Sequence, residues 1–143
     1  MSVTMESIFG KKSIVIDYTT MPIRGISPTI QTYYEVEGRL TISIDNKCVF
    51  TQDNILLFEF AEALSDWKND PRVDFEYYSM DYQQEPILYF KHENSRSCVL
   101  GGAWSDIVCS GIETLGLMQA STIFIKNILK HPALQKDSVD LFL

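Results

Sequence analysis

Carboxylates are the most abundant side chains in this sequence that could do chemistry. The chain has 143 residues, of which 19 are acidic and 12 are basic, and it has two histidines. Asp74 and Glu76 fall on one face of a predicted strand, with Asp81 and Glu85 at the adjoining turn. Two carboxyls at a fixed separation in a cleft could act as acid and base in glycoside hydrolysis. A chain of this length with this pattern alone makes a poor glycosidase.

Two tyrosines, Tyr78 and Tyr82, are interleaved with these acids. Protein interfaces use aromatic side chains to bury area, and they use the surrounding charges for steering and register. We therefore interpret the stretch as a recognition surface. The plainer alternative is a solvated strand face.

The sequence lacks the motifs of the common catalytic and metal sites. His92 and His131 have no Cys, Ser or Asp neighbour at a motif spacing, and there is no HExxH or paired CxxC. Gly101 and Gly102 lack the other residues of a phosphate-binding loop. We expect no catalytic residue, no cofactor and no metal. The cysteines are expected to be reduced and mostly buried: Cys48, Cys98 and Cys109.

The negative charge is concentrated in the middle of the chain. The net charge is −7, whereas the span from Glu35 to Glu93 holds 13 acidic and 5 basic residues, a net charge of −8. Such a span repels phosphate, so we expect no direct binding of nucleic acid. The predicted partner-binding residues are Glu35, Glu37, Glu59, Glu62, Asp66, Asp74, Glu76, Tyr78, Asp81, Tyr82 and Glu85.

The first half of the chain is predicted to form strands and then a helix. Alternating apolar residues indicate a hairpin that turns at Glu37-Gly38, and Asp45-Asn46-Lys47 indicates a second turn. Leu57, Phe60, Ala61, Leu64 and Trp67 recur at helical spacing, with Glu59, Glu62 and Asp66 opposite. That helix is expected from Asp53 to Asn69, with Thr51 or Asp53 as its cap. The predicted strands are residues 13–17, 30–36, 40–44 and 48–51.

The second half is predicted to form a meander of three strands and then a helix. The strands start at Val73, Ile87 and Ser97, and the third reaches Trp104. Gly101-Gly102 indicates a bulge or a close backbone approach. The segment from 105 to 116 is ambiguous, with residues 106–110 as one more possible strand, and a helix is expected over 117–130.

This order of elements predicts one α+β domain over residues 1–143, with residues 1–12 as a poorly ordered tail. Its antiparallel sheet would consist of two hairpin or meander groups, with the two helices packed on one face. The amino terminus lacks the apolar segment of a secretory signal, and the longest uncharged stretch, residues 114–125, is too short to span a bilayer. We therefore expect a cytoplasmic protein with no membrane partner.

The chain from Ile14 to Lys130 resembles the small bacterial immunity proteins that are encoded beside polymorphic contact-dependent toxins. The helix Phe58–Trp67, the acidic aromatic strand, the segment Glu85–Phe90, a strand with Gly and Trp, and the final helix carry this resemblance. It is greatest to the immunity proteins of Bacillus wall-associated (WapA-type) toxins.

The resemblance implies a protein without enzymatic activity. Such proteins stay in the producer's cytosol and bind the carboxyl-terminal domain of a cognate toxin, which is frequently a nuclease with a basic groove and can be a tRNase. The expected state is a monomer or weak dimer. Two alternatives remain: a small-ligand-binding or hydrolytic domain with a pocket of tyrosines, Trp104 and carboxylates, and a subunit that self-associates through exposed aromatic residues.

Overall fold

Two antiparallel sheets and two helices make up the part of the chain that the structure, a computed structural model, describes: residues 13–20, 36–78, 83–105 and 107–130. The predicted α+β class is confirmed. In chain order the elements are β1 (Ile14–Thr20), β2 (Glu37–Ile44), β3 (Lys47–Leu56), α1 (Leu57–Asn69), β4 (Phe75–Tyr77), β5 (Leu88–His92), β6 (Ser97–Gly101), β7 (Cys109–Glu113) and α2 (Thr114–Leu129).

The three-stranded sheet has the order β1-β2-β3. Asp45 and Asn46 have φ angles of 52° and 67°, so the predicted turn between β2 and β3 is confirmed, and these two residue types tolerate that backbone. The turn predicted at Glu37-Gly38 is wrong, because both residues lie inside β2. Gly38 instead allows a close approach, since a Cβ there would overlap the carbonyl oxygen of Thr19. The strand predicted over residues 30–36 lies outside the described residues, except for Val36.

Helix α1 starts four residues later than predicted because β3 continues to Leu56 and passes into the helix without an intervening residue. Neither Thr51 nor Asp53 caps the helix. The N-cap is Leu56, which makes no side-chain capping bond, and the N–H of Leu57 donates to the carbonyl of Val36 at 3.0 Å. The apolar face was predicted correctly: all five of its residues are buried.

The four-stranded sheet has the order β4-β5-β6-β7. The third predicted strand ends at Gly101 rather than at Trp104, and the ambiguous segment contains β7. The expected close approach is present at Gly102, where a Cβ would overlap the carbonyl oxygen of Ile87. Strand β7 passes directly into α2, which therefore begins three residues before the predicted start.

One apolar cluster contains buried side chains from both sheets and both helices. At its centre Phe60 of α1 contacts Phe75, Tyr77 and Phe124 edge to face, with ring centroids 5.1 to 6.0 Å apart. Aromatic pairs of this kind contribute beyond the area they bury. The two helices thus lie against each other and against the apolar sides of the strands.

Neither α1 nor α2, the two helices of the described residues, combines the length and the apolar run that crossing a membrane requires.

Candidate functional site

A cleft of about 330 Å³ opens where the end of β3, the first turn of α1, β4 and the loop after β6 meet. We call it the acidic cleft. Its lining includes three carboxylates from three different elements, Glu37 of β2, Asp53 of β3 and Glu59 of α1, together with the aromatic side chains of Tyr77 and Trp104. Two of the predicted partner-binding residues are therefore brought together here.

A bulge in β3 forms one wall of the acidic cleft. Gly38 pairs with Ile55 and Leu40 pairs with Gln52, so Asp53 and Asn54 together face the single residue Arg39. Asn54 has a φ of 62°, a conformation that Asn adopts more readily than most residues. Bulges re-aim side chains, and this one presents Asp53 at the cleft.

Arg39 forms an ion pair with Asp53 across this bulge, with Nε 2.6 Å from Oδ1. The hydrogen bond from Arg39, with its charge, lowers the pKa of the Asp53 carboxyl below its ordinary value. Asp53 is therefore ionised at neutral pH. The sequence assigned it a capping role at the start of the helix and so missed it as a cleft residue.

Glu59 is connected to the core through Tyr77. The Tyr77 hydroxyl donates to Glu59 Oε1 at 3.3 Å, and the tyrosine is 6% exposed. Burial, followed by the negative charge of Glu59, raises the pKa of the Tyr77 phenol above its ordinary value. The phenol therefore stays protonated and acts as a donor that holds the first turn of α1 against β4.

Trp104 supplies the exposed apolar surface of the acidic cleft, with 49% of the residue accessible. Its loop is held by the Ala103 N–H, which donates to the Pro86 carbonyl at 3.0 Å, and by the close approach of Gly102 to Ile87. Trp104 was considered in the sequence only as part of the alternative ligand pocket. The Gly-Gly pair two residues before it was the signal for a fixed loop.

The second acidic group lies on the outer face of the four-stranded sheet, which we define by Glu76, Tyr78, Tyr89 and Lys91. Glu76 is exposed and pairs in register with Tyr89, and the Tyr78 hydroxyl donates to Glu76 Oε1 at 3.4 Å. Lys91 Nζ lies 4.6 Å from the centre of the Tyr89 ring. Most charges of this face thus have a partner on the same face.

Asp74 lies just before β4 and binds His92. The backbone N–H of His92 donates to Asp74 Oδ1 at 2.9 Å, and His92 Nδ1 lies 3.0 Å from the same oxygen. The backbone hydrogen bond has the larger effect and the contact with the ring nitrogen the next largest, and both lower the pKa of the Asp74 carboxyl. This carboxylate is thus engaged within the sheet.

The structure separates the two acidic groups that the sequence suggested. Helix α1 packs on the side of β4 that carries Phe75 and Tyr77, whereas Glu76 points to the other side. Of the remaining predicted residues, Glu62 is half-buried on α1 and Asp66 is exposed there, Glu85 is exposed before β5, and three lie outside the described residues: Glu35, Asp81 and Tyr82.

Within the described residues, no three His, Cys, Asp or Glu side chains lie close enough to hold a metal ion. The expectation of mostly buried cysteines is wrong for two of the three. Cys98 is buried, and burial raises the pKa of its thiol, whereas Cys48 is exposed and Cys109 is half-buried.

A family profile described as a domain of unknown function, DUF7878, matches residues 16–131 of the chain. The chain belongs to this family. The match covers all the described strands and helices of this DUF7878 domain apart from the first two residues of β1. Neither the curated proteins nor the solved structures contain a match to it. We therefore infer the function of the domain from the geometry of the acidic cleft.

Proposed function

We propose that this DUF7878 domain is an immunity protein that binds and neutralises a cognate contact-dependent toxin domain in the cytoplasm, as a monomer or weak dimer. One observation carries the proposal: a concave site in which Glu37, Asp53 and Glu59 lie beside a half-exposed Trp104. The family resemblance of the sequence agrees with this function.

The chemistry of the acidic cleft suits a basic partner. One of its three carboxylates, Asp53, is paired with Arg39, and Glu37 and Glu59 leave the cleft with a net negative charge. A concave site of one charge sign raises the association rate of an oppositely charged partner by about 10- to 1000-fold. Trp104 offers the kind of rigid amphipathic surface that dominates interface energies. A toxin that is a nuclease, such as a tRNase, presents a basic substrate groove, so a lysine or arginine of that groove fits the cleft.

The alternative of a small-ligand-binding or hydrolytic domain would use the same cleft. Its volume, about 330 Å³, lies within the range of ligand sites. A general acid, however, needs a carboxyl whose pKa is raised. Asp53 is not such a group, because its hydrogen bond and ion pair with Arg39 lower the pKa of its carboxyl.

The experiment is to mix the purified protein with the carboxyl-terminal domain of the large secreted protein that we expect to be encoded next to it. We expect a complex that weakens as salt is added, together with loss of the toxin's nuclease activity. A toxin that remains fully active in the presence of excess protein would refute the proposal. A small-molecule substrate turned over by the protein alone would support the alternative instead.

A further inference from the structure

Strand β3 lies at the edge of its sheet. The sheet order is β1-β2-β3, and among residues 13–20, 36–78, 83–105 and 107–130 no strand pairs with the outer side of β3. An edge strand presents backbone donors and acceptors to which another extended chain can pair. Proteins use such edges to bind peptide segments as an added strand.

A groove follows this edge. A second hollow, of about 230 Å³, adjoins the acidic cleft and shares Gln52 and Trp104 with it. Residues 48–52 line the second hollow and residues 52–56 line the cleft, so every residue from Cys48 to Leu56 borders one of the two. Because successive side chains of a strand point to opposite faces, a hollow lined by consecutive residues borders the strand's edge. We call the two hollows together the β3 groove.

The far wall of the β3 groove is partly apolar. Trp104 and Ile107 line it, and they are 49% and 43% exposed. One end of the groove is the acidic cleft, with the carboxylates of Glu37, Asp53 and Glu59. The groove therefore changes along its length from an apolar wall to a negatively charged end.

The register places a backbone donor and an acceptor on the groove side of β3. The Asp45 N–H donates to the Ser13 carbonyl, and hydrogen-bonded pairs alternate along antiparallel strands. The odd-numbered residues of β1 therefore bond to odd-numbered residues of β2. The even-numbered residues Leu40 and Ile42 of β2 consequently turn their backbone groups towards β3. Gln52 and Phe50 are their partners. The N–H and C=O of Thr51, between them, consequently point away from β2 and into the groove.

Two bulges limit the length of this open edge. The register shifts at Val49 and again at Asp53 and Asn54, which leaves Phe50 to Gln52 as the regularly paired part. Bulges shorten and twist an edge, and thereby discourage open-ended pairing between copies of the same chain. The edge therefore suits a short segment.

We propose that the β3 groove binds a short extended segment of the partner as an added strand beside Phe50–Gln52, with a lysine or arginine of that segment in the acidic cleft. The added strand bonds to the backbone of Thr51. One of its side chains packs on Trp104, and its cation meets Glu37, Asp53 and Glu59. This inference rests on the proposed function and specifies how the partner is held.

The first test uses a fluorescein-labelled nine-residue peptide that alternates lysine and valine as its probe. Two control peptides accompany it: one with glutamate in place of lysine, and one with methyl groups on alternate backbone nitrogens. We expect saturable binding, measured by fluorescence anisotropy, of the first peptide alone, together with slower hydrogen exchange at the Thr51 amide. Equal binding of the methylated peptide would overturn strand addition. So would a Thr51 amide that is already protected without peptide.

Two variants extend the test to the protein side. Thr51→Pro removes the outward N–H, and Trp104→Ala removes the larger side chain of the apolar wall and leaves Ile107. Each variant is expected to weaken peptide binding by about tenfold or more. Thr20→Pro, at the opposite edge of the same sheet, is the matched control and should bind normally. Circular dichroism checks that each variant is folded. Unchanged peptide binding by folded Trp104→Ala would count against the groove.

The same variants separate this inference from the proposed function. If the toxin domain binds and folded Thr51→Pro binds it equally well, strand addition is wrong and the proposed function stands. If the peptide binds in a manner that depends on Thr51 but the toxin remains active, the groove stands and the toxin assignment is wrong.

Discussion

The acidic cleft and the outer face of the four-stranded sheet have similar compositions and different shapes. Each combines one or more carboxylates with aromatic side chains and one base. On the outer face, Glu76 accepts from Tyr78 and Lys91 lies over Tyr89, on a sheet surface. In the cleft, three carboxylates line a hollow of about 330 Å³, and Arg39 pairs with one of them, Asp53, in its wall.

This difference shows that a cluster of acidic residues in a sequence does not by itself predict a binding site. A site needs a concave surface that keeps a net charge, and elements that hold it there. The acidic cleft meets both conditions through the β3 bulge and the Tyr77–Glu59 bond. Variants of each region test whether the two differ in function as they differ in shape.

The largest effect is expected from a substitution in the core that supports both regions. Phe60 is fully buried and contacts rings from β4 and α2, so Phe60→Ala should reduce the free energy of unfolding by about 3–5 kcal/mol. Urea denaturation measures this loss. Leu115→Ala, at a position that is 61% exposed on α2, is the control and should change the free energy by less than about 0.5 kcal/mol. A loss below about 1 kcal/mol for Phe60→Ala would mean that the core is not shared.

A smaller change should affect the acidic cleft and spare the outer face. In Gly102→Ala the new Cβ would overlap the carbonyl oxygen of Ile87, which is backbone and cannot rotate away. We expect a loss of about 1–3 kcal/mol in the free energy of unfolding and weaker binding of the toxin domain, because the Trp104 loop must shift. Thermal unfolding and calorimetric titration measure these two effects. Ala103→Ser, at the exposed next position, should leave both unchanged.

Charge reversal compares the two regions directly. Glu37→Lys combined with Glu59→Lys should slow association with a basic toxin domain by about tenfold or more at low salt. Asp74→Lys combined with Glu76→Lys makes the same change in net charge, and we expect an effect within about threefold because these residues lie outside the concave site. Stopped-flow mixing at several salt concentrations measures both rates. Equal slowing by the two pairs would show that total charge, and not the cleft, determines association.

The smallest expected effect concerns the pH dependence of stability on the outer side of the sheet. The pKa of Asp74 is lowered in the folded protein by His92, so its contribution to stability is present above the unfolded value of about 3.9. That contribution is lost as the pH falls through the lower folded pKa. Asp74→Asn should therefore reduce stability by less than about 1 kcal/mol at pH 6.

The pH profile checks the sign of this effect. The difference between Asp74→Asn and the original protein should shrink as the pH falls below about 4, where the Asp74 carboxyl of the unfolded chain takes up its proton. It should disappear below the lower pKa of the folded protein. Urea unfolding from pH 6 to pH 3 measures it. A difference that grows on acidification would contradict the assigned direction of the pKa shift.

The helical spacing from Leu57 to Trp67 predicted the buried face of α1, because a period of 3.6 residues depends on local geometry alone. The meander after Pro71 was predicted from the two-residue period of strands, which is also local. The start of α1 was wrong, because the pairing of β3 with β2 extends past Asp53, a residue type that otherwise favours helix starts. Whether strand pairing or helix capping prevails at Asp53 depends on contacts with another strand, so the local pattern could not reveal it.

The candidate site was predictable only in part. Charge counting selected Glu37 and Glu59. The local sequence does not show that these two residues lie beside each other and beside Trp104, which is far along the chain. Their proximity depends on a bulge, whose position is fixed by register. The face of β4 that packs on α1 also had to be known before the two acidic groups could be separated.

Each of the described helices, α1 and α2, begins at the residue directly after a strand, at Leu56–Leu57 and Glu113–Thr114. At the first of these junctions the acidic cleft has a corner with no connecting loop, so its two main walls lack a hinge. The backbone that carries Asp53 and Glu59 is therefore already in place when a partner enters the cleft, and little backbone entropy is lost there on binding. Such preorganisation favours slow dissociation, which the proposed binding of a toxin domain would require.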